Sequence, residues 1–488
     1  MRDQILVLSF DNRFAAEIAT KLRAEKIYCN VLPGDTPVEK IVSEEALGLI
    51  LAGGLSGELP DSLDGQLLRT GIPLLALGDT AMAVASLLGT PLLEKQEIHE
   101  VETVRFYPSR ISDDIEETDR FLSAVRPFEM TGDLEPLVTL NGHVLGAMHK
   151  TLDIYMIQFQ LEPNDPEMMN LLMRFATDVC GCTKWWGNDA FISTARTEIS
   201  QAARSGNAVC VMSGGLDSGV AALIAHRALG DRLQCIFIDT GLLREQEAEQ
   251  FLEYYQNAGL NIMVVDAGSR VIKALKHKKS QAEKKQAIQE EIQRVLDETA
   301  ASLSFDLIIQ SSAANGRLNT NESPISAPRL VGEVKTIAPL HELFKEEIRS
   351  LGETLGMPPD MTQMQSFPWT GLALRVLGEC TKENLSILRF ADAVFTEEIR
   401  LAGLNKKLWK YFAMLYFVPF TDGHENLVVV LRAVSASHQG GDVRAIPARL
   451  PYDLLERYTQ RAKKEEPDIA KIVYDVTPGS GIGEIEWN

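Results

Sequence analysis

The stretch Ala208-Val209-Cys210-Val211-Met212-Ser213-Gly214-Gly215-Leu216-Asp217-Ser218-Gly219 decides the fold. Its first five residues are an apolar run that reads as a buried strand, and Gly219 to Leu229 continues as a helix. Between them, small residues let backbone N–H groups close around an anion, and the helix N-terminus adds a favourable dipole potential. Ser213 and Ser218 supply hydroxyls without bulk. Asp217 by itself repels phosphate, so its useful role is to hold Mg2+ or to order the loop. No Gly-Lys-Ser/Thr follows, so the loop is not of the Walker type. A plain glycine-rich turn is the bland alternative, and the complete Ser-Gly-Gly-Leu-Asp-Ser string argues against it.

Working outward, Cys235–Asp239 and Ile262–Asp266 read as strands that each end in aspartate, and Leu307–Gln310 as another. Residues 271–300 read as one charged helical run, with Glu283-Lys284-Lys285 on a solvated face. Earlier in the chain, Ile5–Ser9, Leu47–Ala52 and Pro73–Leu77 read as strands. Gly53-Gly54 and Gly78 mark turns, and Met82–Leu88 is helical in character. Strand, turn and helix in that order predict doubly wound α/β architecture. Cys182–Asp189 reads as a linker. Beyond about residue 379, two helical stretches precede a strand at Asn426–Arg432, a helix from Tyr452 and a closing strand at Lys471–Asp475.

Composition narrows the function. Acidic residues outnumber basic ones 68 to 48 in 488 residues, a formal charge of −20, which argues against a broad nucleic-acid or anionic-membrane surface. A phosphate site must then be built locally. No apolar run reaches the ~18 residues of a membrane span, and Met1-Arg2-Asp3-Gln4 does not resemble a signal peptide. The expectation is a cytoplasmic, soluble, multidomain protein. Six cysteines are too few for a disulfide scaffold, and Cys180-Gly181-Cys182 lacks the partners of a zinc site. They read as buried structural thiols.

The loop resembles the pyrophosphate loop of N-type ATP pyrophosphatases, which usually read Ser-Gly-Gly-Val-Asp-Ser. Phe237-Ile238-Asp239-Thr240-Gly241-Leu242-Leu243-Arg244 narrows the likeness to the glutamine-dependent GMP synthetases, as do Pro339–Arg349, Leu374–Glu379 and the ending Ile485-Glu486-Trp487. The resemblance runs along essentially the whole chain. It implies a class I amidotransferase-like domain (1–187), an ATP pyrophosphatase domain of adenine-nucleotide hydrolase type (188–378) and a small α+β dimerisation domain (379–488). Two doubly wound parallel sheets and a homodimer are thus expected. It also implies ATP and Mg2+, with ATP adenylating a carbonyl oxygen of XMP before ammonia displaces AMP. Carried over residue by residue, ATP binding falls to Ser213, Gly214, Gly215, Leu216, Asp217, Ser218, Gly219, Asp239, Arg244 and Lys345. Asp217 and Ser218 are the catalytic candidates and Asp217 the Mg2+ ligand. Lys345 reads equally well as an exposed helix lysine.

Two parts of the family pattern fail. A glutaminase of this class needs a cysteine thiolate on a sharp strand-to-helix turn, a histidine base and an orienting carboxylate. Here the nucleophile position is Gly78, the base position is Gln160, and Glu162 has no base to orient. The acceptor positions also differ. Met364-Gln365-Ser366-Phe367-Pro368-Trp369-Thr370-Gly371 replaces Arg-His-Pro-Phe-Pro-Gly-Pro-Gly, and Ile325–Leu330 and Pro478–Trp487 lose further cations. Arg329, Trp369 and Arg375 are the remaining acceptor-pocket candidates. Each lost phosphate contact costs about 1.5–3 kcal/mol. The sequence therefore leaves three readings: an adenylating ligase with an acceptor other than XMP, a GMP synthetase fed by free ammonia or a separate glutaminase, and a non-catalytic nucleotide-binding regulator.

Overall fold

The computed structural model describes residues 3–60, 62–159, 165–311, 334–363, 365, 370–419, 425–439 and 442–478. The chain divides into two compact units, Met1–Phe191 and the chain from Ile192 onward.

The first unit is built on a nine-stranded sheet in the order β2-β1-β3-β4-β9-β8-β7-β5-β6. Strands β1 (Ile5–Ser9), β2 (Cys29–Pro33), β3 (Gly48–Ala52), β4 (Leu74–Leu77) and β9 (Ile154–Ile157) run parallel. The burial of β1, β3, β4 and β9 is continuous, as expected when helices cover both faces of a parallel sheet. The other four strands, β5 (Gln96–Phe106), β6 (Glu117–Val125), β7 (Leu134–Leu140) and β8 (His143–His149), extend the sheet antiparallel. The sequence reading did not resolve them. Their alternation is blunted by polar side chains on consecutive exposed positions of β5, among them Glu97, His99 and Glu100.

In the second unit, β10 (Ala208–Met212), β11 (Leu233–Asp239), β12 (Ile262–Asp266), β13 (Leu307–Ile309) and β14 (Lys335–Ile337) form a parallel sheet in the order β12-β11-β10-β13-β14. Strand order reverses beside β10, and the crevice beyond the carboxyl ends of strands at such a point is where α/β sheets bind ligands. The C-terminal sheet contains β15 (Val376–Leu377), β16 (Lys410–Pro419), β17 (Glu425–Gln439), β18 (Asp442–Pro447) and β19 (Ile469–Asp475). One apolar cluster runs from Val209 and Ile236 through Leu372 and Phe395 to Leu431 and Tyr458. The parallel sheet and the C-terminal sheet therefore share a core.

Three local expectations need correction. The second helical stretch after residue 379 is instead strand β16. Tyr411–Leu415 is buried on both faces, so its apolar run carries neither period, and its aromatic content favours the strand. The run 271–300 is two helices, Gly268–Leu275 and Gln281–Ala300, the second begun by a capping box between Ser280 and Glu283. Lys284 is not on a solvated face. It is fully buried, and its ammonium donates to the carbonyls of Ala373 and Val376. Burial holds its pKa below the ordinary lysine value. Among the described residues, no helix is long and apolar enough to cross a membrane.

Candidate active site

Strand β10 ends at Met212 and the helix Leu216–Leu229 begins four residues later. The loop between them is braced from within. Ser218, 1% exposed, donates from Oγ to the Gly215 carbonyl at 2.9 Å and accepts the Ser213 N–H at 3.2 Å. Its hydroxyl is thus committed to loop shape. Ser213, by contrast, is exposed. Gly214 sits at φ +84°, and a Cβ there would meet only the Phe237 ring, at 3.8 Å; one at Gly215 would meet only Ser213 Oγ, at 3.5 Å. The missing side chains leave open space in which backbone N–H groups are accessible. Gly219 has a different reason to be glycine. An added Cβ would lie 1.7 Å from the Tyr255 hydroxyl, so this position serves packing beneath the helix.

A second helix, Lys345–Thr354, points its N-terminus at the same place. Lys345 is its first residue, and its ammonium donates to Asp217 Oδ1 on the first turn of the other helix. A cation on the positive end of a helix is disfavoured by about 0.3–1 kcal/mol. In the structure the Asp217 carboxylate is the anion that offsets this cost, and the pair stands at the mouth of the loop. Lys345 and Asp217 are 28% and 29% exposed, within reach of solvent and of a ligand. The single carboxylate of Asp217 fits Mg2+, which is usually held by one or two carboxylates plus substrate phosphates.

Asp239 closes β11 with its Oδ1 accepting the Gly241 N–H at 2.9 Å, which tightens the turn into Gly241-Leu242-Leu243-Arg244. Arg244 follows, but its Nε lies 2.9 Å from Oδ2 of Asp392, a residue the sequence reading did not single out. Asp392 is 1% exposed, accepts the Ala413 N–H at 2.9 Å and also faces Arg375 Nη1 at 3.4 Å. Arg375 is itself buried, with its guanidinium 4.5 Å from the centre of the Phe412 ring. An ATP-contact candidate and an acceptor-pocket candidate therefore share one carboxylate. Only a long-range contact joins them, so nothing local in the sequence marks Asp392. Arg329 and Trp369 lie outside the described residues.

The first unit makes a sharp strand-to-helix turn at Gly78. Strand β4 turns through Gly78 at φ +66° and ψ −137° into the helix Asp79–Leu87. A Cβ at Gly78 would lie 2.4 Å from the Gly54 carbonyl oxygen and 2.7 Å from that of Gly53. The Asp79 N–H donates to the same Gly54 oxygen at 2.9 Å. In a nucleophile elbow, the N–H following the nucleophile is an oxyanion donor, and here a carbonyl of the chain's own backbone occupies it. The buried Asp79 carboxylate holds that loop down, accepting from Ser56 N–H at 2.9 Å, Ser56 Oγ at 2.6 Å and Gly57 N–H at 2.9 Å. Gln160 and Glu162 lie outside the described residues. All six cysteines are free, and burial raises the thiol pKa of Cys182 to about 12 and of Cys380 to about 11.

Comparison with known proteins places this geometry. A family described as NAD synthase matches residues 191–368, and one described as GMP synthase C terminal domain matches residues 397–487. "GMP synthase [glutamine-hydrolyzing]" of Carboxydothermus hydrogenoformans is 32% identical over 513 aligned residues, covering 100% of both chains. The protein of the same name from Clostridium botulinum strain Kyoto is 32% identical, covering 100% of this chain and 99% of its own. Among solved structures, NMN synthetase from Francisella tularensis is similar over 38% of this chain and 78% of its own, at 15% identity and a TM-score of 0.32. Full-length identity at this level, together with the loop, its converging helices and the C-terminal sheet, establishes that the chain belongs to the GMP synthase family.

Proposed function

We propose that the chain is an AMP- and pyrophosphate-forming ligase that adenylates an acceptor carbonyl oxygen and has no glutaminase activity of its own. The observation that carries the reading is the meeting of two helix N-termini, with Lys345 and Asp217, over the open space at Gly214 and Gly215. In the reaction, the acceptor oxygen bonds to the α-phosphorus of ATP as the α–β phosphoanhydride breaks and pyrophosphate leaves. A nitrogen nucleophile then attacks the acceptor carbon, and AMP departs with the oxygen. The backbone N–H groups of the loop and the Lys345 ammonium hold the leaving pyrophosphate, where fixed donors act on developing charge. Asp217 is the residue that would hold Mg2+, which would supply charge neutralisation when bound. Ser218 acts by keeping the loop in shape.

Gly78 offers no nucleophile and the Asp79 N–H is engaged, so the nitrogen comes from outside the first unit, as free ammonia or from a separate glutaminase. The altered acceptor stretches at 325–330, 364–371 and 478–487 favour an acceptor other than XMP. XMP itself is the second reading, favoured by the full-length likeness to proteins named GMP synthase. Pyrophosphate release from ATP, measured over a panel of carbonyl acceptors with ammonia, tests both. Release only with a different acceptor supports the first reading, and release with XMP supports the second. No release with any acceptor refutes the ligase and leaves a nucleotide-binding regulator.

A further inference from the structure

The helix Lys382–Leu401 belongs to the part of the chain that builds the C-terminal sheet, yet two of its side chains, one turn apart, reach the loop after β11. Arg389 donates from Nε to the Leu243 carbonyl at 2.9 Å and from Nη2 to the Gly241 carbonyl at 2.7 Å. Asp392 takes the Arg244 side chain. One guanidinium thus fixes the loop's backbone while one carboxylate fixes its terminal cation. The loop also carries bonds of its own: the Gly241 N–H donates to Asp239 Oδ1 at 2.9 Å, the Arg244 N–H donates to Glu247 Oε2 at 3.0 Å, and buried Leu242 accepts the Leu372 N–H at 2.8 Å. The Gly371 backbone comes so close that a Cβ there would lie 2.3 Å from the Leu242 oxygen.

The arrangement exceeds what stability alone asks for. A buried carboxylate shared by two arginines carries a large desolvation cost, and apolar packing of the same volume is often as stable or more so. The planar guanidinium of Arg389 meets two carbonyls at once, a geometry that specifies position more than energy.

We propose that Arg389 and Asp392 are positioning residues for the nucleotide site: they set the segment Asp239–Arg244 beside the pyrophosphate loop and thereby make ATP affinity depend on the C-terminal half of the chain. The inference rests on the ATP reading given above. Neither residue touches the ligand; both act through Gly241, Leu243 and Arg244.

The test uses full-length protein with Arg389→Ala, Arg389→Lys and Asp392→Asn, the last keeping an acceptor for the Ala413 N–H. ATP–Mg2+ affinity by titration calorimetry, hydrogen exchange over 239–244 and melting temperature are read together. Arg389→Ala and Asp392→Asn should each weaken ATP–Mg2+ binding about tenfold or more, the size of a lost charge-assisted contact. Exchange across 240–244 should quicken while that of the helix Leu216–Leu229 stays as in the wild type. Arg389→Lys should recover part of the affinity. The double variant should be little worse than the worse single, because the two act on one loop. Variants that lower the melting temperature yet bind ATP as tightly as the wild type overturn the inference and make the pair purely structural. A wild-type chain that binds no ATP overturns the functional reading and this inference with it.

Discussion

Placing a cysteine at Gly78 is the direct attempt to rebuild a glutaminase, and the structure makes it costly. The residue sits at φ +66° and ψ −137°, a conformation that a side chain enters at about 1–3 kcal/mol. The new Cβ would lie 2.4 Å and 2.7 Å from two backbone carbonyl oxygens, which cannot swing away as a flexible side chain can. Overpacking of this kind costs typically about 1–3 kcal/mol. Moving Gly53-Gly54 aside to relieve it pulls on the three hydrogen bonds that Asp79 accepts from Ser56 and Gly57. The total is roughly 2–6 kcal/mol, and a unit of this size loses about 2–4 °C of melting temperature per kcal/mol. Calorimetry should therefore show Gly78→Cys and Gly78→Ala destabilised alike, since both carry the same Cβ. Glutamate release from glutamine should be absent from the wild type, from Gly78→Cys and from Gly78→Cys combined with Gln160→His. In the double variant a base is supplied, but the oxyanion donor at Asp79 is still held by Gly54. A Gly78→Cys protein that melts with the wild type, or any of these chains releasing glutamate, would refute the reasoning.

The remaining expectations concern charge, pH and assembly. Lys345→Ala should weaken ATP–Mg2+ binding by about ten- to hundredfold, the loss of a charge-assisted contact of about 1.5–3 kcal/mol, while the melting temperature stays nearly unchanged; unaltered affinity refutes the anion contact. Asp217→Ala with Ser218→Ala should abolish pyrophosphate release in a protein that remains folded, and normal turnover would show the loop assignment to be wrong. Lys284 has a folded pKa below its unfolded value near 10.5. The unfolded chain therefore binds more protons in the window beneath that value, and wild-type stability relative to Lys284→Met should rise as pH climbs toward 10.5. A flat difference counts against the buried-cation assignment. Light scattering on the full chain should give twice 54.0 kDa, and a mass of one chain refutes the dimer. Truncation after Glu379 is a poor substitute, because it strips the helix and sheet that share a core with the nucleotide-loop sheet.

Legibility followed the range of the determining contacts. Strand β10 and the loop after it were readable because an apolar run, a glycine pair and a helix start are adjacent in sequence. Gly78 stood out for the same reason. Lys284 was misread because charge suggests solvent, whereas its partners are the carbonyls of Ala373 and Val376, some ninety residues away and unmarked in any sequence pattern. Asp392 was missed on similar grounds: its partners are Arg244, Arg375 and a strand N–H. Strand β16 was hidden by burial on both faces, which erases the alternation that separates strand from helix. Asp79 carries no sequence mark beyond following the Gly78 turn. Its meaning appears when Ser56 and Gly57 are seen folded over it.

Glycine at position 78 also explains why the turn can persist without a nucleophile. A side chain at this dihedral stores about 1–3 kcal/mol, tolerable only where surrounding structure and function require it. Removing the side chain releases that strain and empties the space above the turn. The Gly53-Gly54 backbone lies over the turn, and the Gly54 carbonyl accepts the Asp79 N–H, a donor that an active elbow leaves free for an oxyanion. Asp79 adds the carboxylate that locks the closed loop. Each change favours the next, since an open donor and an unfilled space are both unfavourable in a buried site. Restoring glutaminase chemistry therefore requires reversing the set together: a cysteine at 78, a base at 160 and an uncharged residue at 79 that lets the loop lift. If Gly78→Cys and Gln160→His fail but adding Asp79→Ala allows slow glutamate release, the lock is the decisive element. If the triple variant is folded and still releases none, the barrier lies elsewhere in the first unit and the locking argument falls.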